Sequence, residues 1–96
     1  MQSEVFTSTL HSGHKEDAVE VPFDPGEKWN TRTARFAPGR FGYAVQGTMN
    51  GVPFEGHVVA RSARFWLLVE RPLERSAGIE PGMTVNVVLG PSDEDL

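Results

Sequence analysis

The sequence predicts an all-β fold, a barrel or sandwich of six strands with a short helix. Two observations predict it: apolar and polar residues alternate over several short segments, and Gly- or Pro-containing turns separate those segments. The chain has 96 residues, 39% of them hydrophobic, which is enough for one core and too little for two. We therefore assign residues 1–91 to a single barrel domain and residues 92–96 to an acidic tail.

The most clearly predicted element is a hairpin that turns at Asn50-Gly51. Apolar residues occupy mainly odd positions from Phe41 onward and even positions after Gly51. The Asn-Gly dipeptide suits a type I′ turn, because both central residues of that turn have positive φ. A two-residue turn places Gly47 opposite Phe54 and leaves one face of the hairpin buried and the other in water.

The elements before this hairpin are shorter. Residues 4–10 and residues 18–23 are both β-prone, and we expect them to pair as a second hairpin across a polar loop. Asp24 is a suitable N-cap residue, and Pro25 is favoured at the first position of a helix. A single helical turn is therefore predicted to begin at Pro25.

The same kinds of signal predict the elements after the hairpin. Residues 65–69 form a continuous apolar run, which is typical of a strand buried on both faces. Residues 71–77 are predicted to be a helix that ends before Gly78, where a left-handed residue is favoured. Residues 84–89 alternate again and supply the last strand.

Seven aromatic residues are interleaved with arginines between positions 29 and 66, a mixture that platforms for single-stranded nucleic acid use. In a barrel this small we expect core packing to take most of these rings. Residues 31–38 are predicted to be a loop with exposed aromatic side chains, which could form a dimer contact. At the surface we place three rings: Trp29, Phe36 and one of Phe65 or Trp66.

Charge is unevenly distributed along the chain, whose formal net charge is -4. Residues 28–64 carry six basic residues and one acid, whereas acids prevail on both sides. We expect the acidic segments to fold against this basic middle and neutralise it. The alternative is an exposed contact for an anion or a partner, formed by four arginines: Arg35, Arg40, Arg61 and Arg64. The negative net charge disfavours a general nucleic-acid binder.

The predicted hairpin register also places Arg40 opposite Arg61. Like charges that face each other across a strand pair are destabilising. Fraying of the ladder beside Pro38-Gly39 is the expected relief. A nearby acid, or a bound anion held with the help of Arg64, is the alternative.

Three segments carry a resemblance to a known family. The chain reads VEVPFD from position 19, VQGTMNGVPFEG from position 45 and LVERPLERSAGIEPGMTVNV from position 68. Together they resemble the small bacterial domain of unknown function that often accompanies bacteriocin-protection (OmpD-associated) domains, over residues 5–89. The resemblance implies a six-stranded double-split β-barrel with one or two short helices, an architecture shared with the dimeric AbrB-like swapped-hairpin regulators. It implies no activity, and the chain departs from the family's usual residues at Glu74 and Met83.

No catalytic, cofactor or metal site is predicted from the residues. The chain has no Gly-x-Ser-x-Gly elbow, no cysteine nucleophile and no phosphate loop with its Lys-Ser/Thr pair. His11, His14 and His57 are of a type that binds metals, but we favour solvated histidines. His57 and Glu55 could exchange a proton with a substrate only if a cleft covered them.

We therefore expect a non-catalytic binding module for a small anion or a protein partner. A DNA-associated dimeric regulator is the first alternative, and an enzyme acting on a small polar substrate is the second. We expect no membrane segment, because the longest apolar run is residues 65–69 and the start of the chain lacks a signal-peptide pattern. The absence of cysteine fits a cytoplasmic protein.

Overall fold

The computed structural model describes residues 3–92, which form seven strands and two short helices. The strands are β1 (Glu4–His11), β2 (Asp17–Val21), β3 (Ala34–Ala37), β4 (Arg40–Met49), β5 (Val52–Arg61), β6 (Arg64–Val69) and β7 (Thr84–Pro91). The helices are α1 (Pro25–Trp29) and α2 (Arg71–Ala77).

Six of these strands close into an antiparallel barrel. Around the ring the order is β4-β5-β6-β2-β1-β7, and β7 pairs back with β4. Strand β3 lies outside the ring and pairs with the first residues of β4. The predicted six-stranded all-β barrel with one or two short helices is confirmed. The expectation of a loop over residues 31–38 is wrong in part, because residues 34–37 form β3.

The hairpin of β4 and β5 has the predicted register. Asn50 and Gly51 have φ angles of 48° and 84°, and Gly47 is paired with Phe54. Gly47 also lies against β7, where a Cβ atom on it would overlap the carbonyl oxygen of Val88. A side chain is excluded at this position because the backbones of β4 and β7 approach too closely.

The helix ends follow the predicted capping rules. The side chain of Asp24 accepts hydrogen bonds from the backbone N–H groups of Gly26 and Glu27, which begins α1. At the end of α2, Gly78 has a φ of 68°, and Ile79 N donates to the carbonyl of Glu74 at 3.0 Å. This is the left-handed termination that glycine permits.

The inner face of the ring forms the main hydrophobic core. Its fully buried side chains come from every strand of the barrel and include Leu10, Val19, Val45, Met49, Val58, Leu67, Val69, Val85, Val87 and Leu89. A second, smaller cluster lies outside the ring, where Phe36 and Trp66 pack on Ala18, Val59 and Leu68. Strand β6 is therefore buried on both faces, as its apolar run predicts.

Two of the predicted aromatic positions are wrong. Trp29 is only 8% exposed, because α1 turns its indole into the core, where it lies edge-on against Phe23 with ring centroids 5.3 Å apart. Phe41 is 58% exposed instead of buried. The last residue pair between β4 and β5 is Tyr43–Val58, so Phe41 lies beyond the end of that ladder, where β4 pairs on its other edge with β3 and Phe41 is opposite Arg35. Phe36, Phe65 and Trp66 are half-buried.

The ladder between β5 and β6 is incomplete. It runs from the pair Val58–Leu67 to the pair Arg61–Arg64, on either side of a two-residue turn. Residues 52–57 of β5 have no partner in β6, and α2, which follows β6 directly, packs against β5. The opening between β5, the end of β6 and α2 positions the candidate site.

Candidate functional site

A cavity of about 470 Å³ lies where β5 and β6 separate. Strands β4, β5 and β6 and helix α2 give it an apolar floor, which consists of Ala44, Val45, Phe54, Gly56, Leu68 and Leu73. Pockets that bind small molecules in proteins are typically about 300–1,000 Å³ and mainly apolar. The cavity therefore has the size of such a pocket, and its lining combines this apolar floor with polar side chains.

Four side chains, which we name the stacked row, follow one another along one wall of the cavity: His57, Phe36, Arg40 and Glu16. The rings of His57 and Phe36 are stacked with centroids 4.2 Å apart and planes at 15°. The Arg40 guanidinium lies 5.3 Å from the centroid of the Phe36 ring, and its Nη2 donates to Glu16 Oε1 at 2.8 Å. The stacked row joins β5, β3, β4 and the loop before β2.

The ion pair that ends the stacked row is partly shielded from water. The side chains of Arg40 and Glu16 are 29% and 18% exposed. A charge-assisted hydrogen bond at this depth is screened less than one on the open surface. The charge of Arg40 is thereby compensated within the protein.

Two more carboxylates, Glu55 and Glu70, line the cavity. Within residues 3–92, no Lys, Arg or His nitrogen lies within 4.0 Å of either carboxylate. With Glu16 and Arg40, the lining carries three carboxylates against one guanidinium. Its formal charge is therefore -2 when His57 is neutral.

A second hollow of about 420 Å³ shares Glu16, Arg40 and Glu70 with the cavity. Asp17 and Glu74 line this hollow side by side. Burial, together with the hydrogen bond and the negative charge of Asp17, raises the pKa of Glu74 to about 7. The Glu74 carboxyl is therefore largely protonated below neutral pH.

One oxygen of Glu74 is closed off from the hollow. Its Oε2 atom is shielded from solvent and has no hydrogen-bond partner within residues 3–92. Arg71, at the start of α2, partly counteracts the rise of the Glu74 pKa. From the sequence, Glu74 was noted only as a departure from the family pattern.

The predicted pairing of Arg40 with Arg61 does not form. The ladder of β4 and β5 ends at Tyr43–Val58, three residues before Arg40 is reached. Arg40 and Arg61 are therefore not paired across the two strands, and Arg40 also has an acidic partner in Glu16.

The other predicted arginines have separate contacts. Arg61 lies opposite Arg64 across the turn between β5 and β6. Arg64 Nη1 lies 3.7 Å from Glu20 Oε1, and both side chains are largely solvated. Arg35 Nε donates to the carbonyl of Ala37 at 3.4 Å. Of the four arginines, Arg40 alone lines the cavity.

The three histidines also have different surroundings. His11 lies edge-on to Trp66 with ring centroids 5.6 Å apart, His14 lines the second hollow, and His57 belongs to the stacked row. The described part of the chain contains no group of three His, Asp or Glu side chains placed to hold a metal ion. Glu55 and His57 both line the cavity, where Glu55 is exposed and His57 is half-buried.

The family model for DUF1905, a domain of unknown function, matches residues 6–89. The chain belongs to the DUF1905 family. Of the residues that line the cavity of this DUF1905 domain, all except Ser92 fall within the match. No curated protein matches the sequence. Among the helices of residues 3–92, none has the length and apolar character needed to cross a membrane.

Proposed function

We propose that this DUF1905 domain is a non-catalytic module that binds a small molecule in the cavity between β5, β6 and α2. The observation that carries the proposal is the combination of an apolar floor of suitable size with a polar wall that is already held in place. A site whose side chains are ordered before binding loses less conformational entropy when the ligand enters. The stacked row supplies this order.

A cavity-filling variant tests the proposal. Ala44 lines the cavity on the outer face of β4, opposite His57 in β5. Ala44→Leu should abolish the backbone amide shifts that small-molecule fragments induce around Gly56 and Leu68 in two-dimensional NMR spectra. Thr48→Leu is the matched control, because Thr48 lies in the same strand and outside the cavity. Fragments that shift both variants equally, or that shift other regions only, contradict the proposal.

An enzyme acting on a small polar substrate is the second candidate. It is favoured by the second hollow, where Glu74, with its raised pKa, lies beside Asp17 and Arg71. A general acid needs a pKa near the working pH, which Glu74 has. It must also reach its substrate, and the shielding of Glu74 Oε2 from solvent weighs against this role. We therefore prefer the non-catalytic module.

We also propose that the four predicted arginines contact an anion or a partner. Arg61 and Arg64, which lie opposite each other and are exposed, offer the stronger support for it. Arg35 is exposed on β3, whereas Arg40 is neutralised by Glu16. The alternative of a DNA-associated dimer predicts an affinity that falls steeply with salt, and a flat response would remove it.

We also propose a more specific barrel architecture and a cellular location for this protein. A double-split barrel, related to the dimeric AbrB-like regulators, is supported by two short ladders in the ring. The ladder of β1 and β2 has two residue pairs, and that of β5 and β6 has four. A bacterial, cytoplasmic protein that accompanies bacteriocin-protection domains fits a chain without cysteine.

A further inference from the structure

We infer that the ligand of the cavity is a small organic cation, an apolar or aromatic body that carries a protonated amine. The inference rests on the proposed function and names the class of ligand. Charge complementarity between the ligand and Glu55 and Glu70 is the ground for it.

The charges of the lining favour a cation. Arg40 is the one lysine or arginine among the lining residues, and its guanidinium is bound to Glu16 at 2.8 Å. Glu55 and Glu70 have no cationic partner within 4.0 Å among residues 3–92. An anion in the cavity would approach these two carboxylates, and the guanidinium of Arg40 is already paired with Glu16. A protonated amine would instead donate charge-assisted hydrogen bonds to them.

The rest of the lining favours an apolar body attached to the amine. Leu73, Leu68 and Ala44 contribute aliphatic groups to the lining, and Phe54 contributes an aromatic residue. A metal ion or another small hydrated cation would leave this surface uncovered, and apolar surface gains about 25 cal/mol for each Å² removed from water. The apolar floor and the two carboxylates together select an amine with an organic body.

Three probes of the same shape and different charge test the inference. Benzylamine is protonated at pH 7, benzyl alcohol is neutral, and benzoate is an anion. Each is titrated into the whole chain, and binding is followed by the backbone amide signals of Ala44, Gly56 and Leu68. We expect benzylamine to bind several-fold more tightly than benzyl alcohol and benzoate to bind least, with the preference reduced by added salt.

Variants of the two carboxylates test whether these residues cause the preference for a cation. Because both carboxylates are exposed, Glu55→Gln and Glu70→Gln should each weaken benzylamine binding by only about 2- to 5-fold and leave benzyl alcohol binding unchanged. Glu27→Gln is the control, since Glu27 is an exposed acid on α1 outside the cavity. The spectra of the free variants show whether each retains the fold.

The outcomes separate the inference from the proposed function. Benzyl alcohol or benzoate that binds in the cavity as tightly as benzylamine overturns the inference, and the binding function stands. Benzylamine binding that both carboxylate variants leave unchanged overturns it as well. If none of the three probes shifts the cavity signals, both the inference and the proposed function fail.

Discussion

Asn50 and Asn86 are joined by two hydrogen bonds, one through the backbone of Asn50 and one through its side chain. Asn50 N donates to Asn86 O at 2.8 Å, and Asn86 N donates to Asn50 Oδ1 at 2.8 Å. The residue that gives the β4–β5 turn its positive φ therefore also satisfies a backbone donor of β7. This attachment ties the hairpin to a strand that is distant in sequence.

Two substitutions separate the two roles of Asn50. Asn50→Gly keeps positive φ accessible and removes the side-chain hydrogen bond, so we expect a loss of about 0.5–1.5 kcal/mol in the free energy of unfolding. Asn50→Ala removes the bond and also forces a Cβ-bearing residue into the left-handed region, so it should cost about 1 kcal/mol more. Urea unfolding measures both. Equal stability of the two variants would contradict this division of roles.

The close approach of β4 and β7 predicts intolerance at Gly47. Gly47→Ala should lower the free energy of unfolding by at least about 2 kcal/mol, because the added Cβ overlaps the backbone of Val88, which cannot rotate away. Gly56→Ala is the matched control in β5, where a Cβ would meet its neighbours at 3.7 to 3.8 Å. It should change stability by no more than about 0.5 kcal/mol. Thermal unfolding that places both variants at the wild-type midpoint would refute the close approach.

The raised pKa of Glu74 predicts how stability varies with pH. In the folded state the pKa is about 7, against an ordinary value of 4.5. Between these values the folded state binds more protons than the unfolded state, so the free energy of unfolding should fall as the pH rises from about 4.5 to 7. Well above pH 7 the carboxyl is charged in both the folded and the unfolded state, and the free energy of unfolding falls no further from this cause.

Glu74→Gln should remove this part of the pH dependence, because the amide stays neutral. The variant should gain stability relative to the wild type between pH 5 and pH 8. Glu80→Gln is the control, since Glu80 is an exposed acid in the loop after α2. Unfolding curves at several pH values measure the effect. A Glu74→Gln profile parallel to the wild-type profile would argue against the raised pKa of Glu74.

The turn between β5 and β6 holds two residues with side chains in the left-handed region. Ser62 and Ala63 have φ angles of 52° and 63°. Ala63→Gly should raise the free energy of unfolding by about 0.5–1 kcal/mol, because glycine adopts this conformation without strain. The same change at Ala60, an exposed position inside β5, should lower it by about 0.5–1 kcal/mol. A loss of stability in both variants would be inconsistent with a strained turn.

The sequence predicts those parts of the fold that depend on local rules. The Asn50-Gly51 turn, the Asp24 cap and the helix end at Gly78 each involve a few neighbouring residues, and all three are confirmed. The pattern fails beyond the end of a ladder. Phe41 keeps the apolar parity of β4, yet it is exposed, and it lies past the last residue pair of β4 and β5, Tyr43–Val58.

The sequence predicts single residues of the candidate site but not their arrangement. Arg40 and His57 were both noted from the sequence, as a charge to be relieved and as a solvated histidine. From the sequence, their actual neighbour Phe36 is placed at the surface, and Glu16 is not singled out. The stacked row combines side chains from four segments and depends on β3 folding over the barrel. No spacing in the sequence specifies that arrangement.

The burial of β6 on both faces determines which part of the molecule opens last. Leu67 points into the main core and Leu68 into the outer cluster, so apolar layers cover this strand on both faces, and Leu67 is paired with both β2 and β5. Strand β3 lies outside the ring and contributes four residues. In native-state hydrogen exchange, the amide of Leu67 should therefore exchange only through global unfolding. The amides of β3 should exchange through local fluctuations of lower free energy.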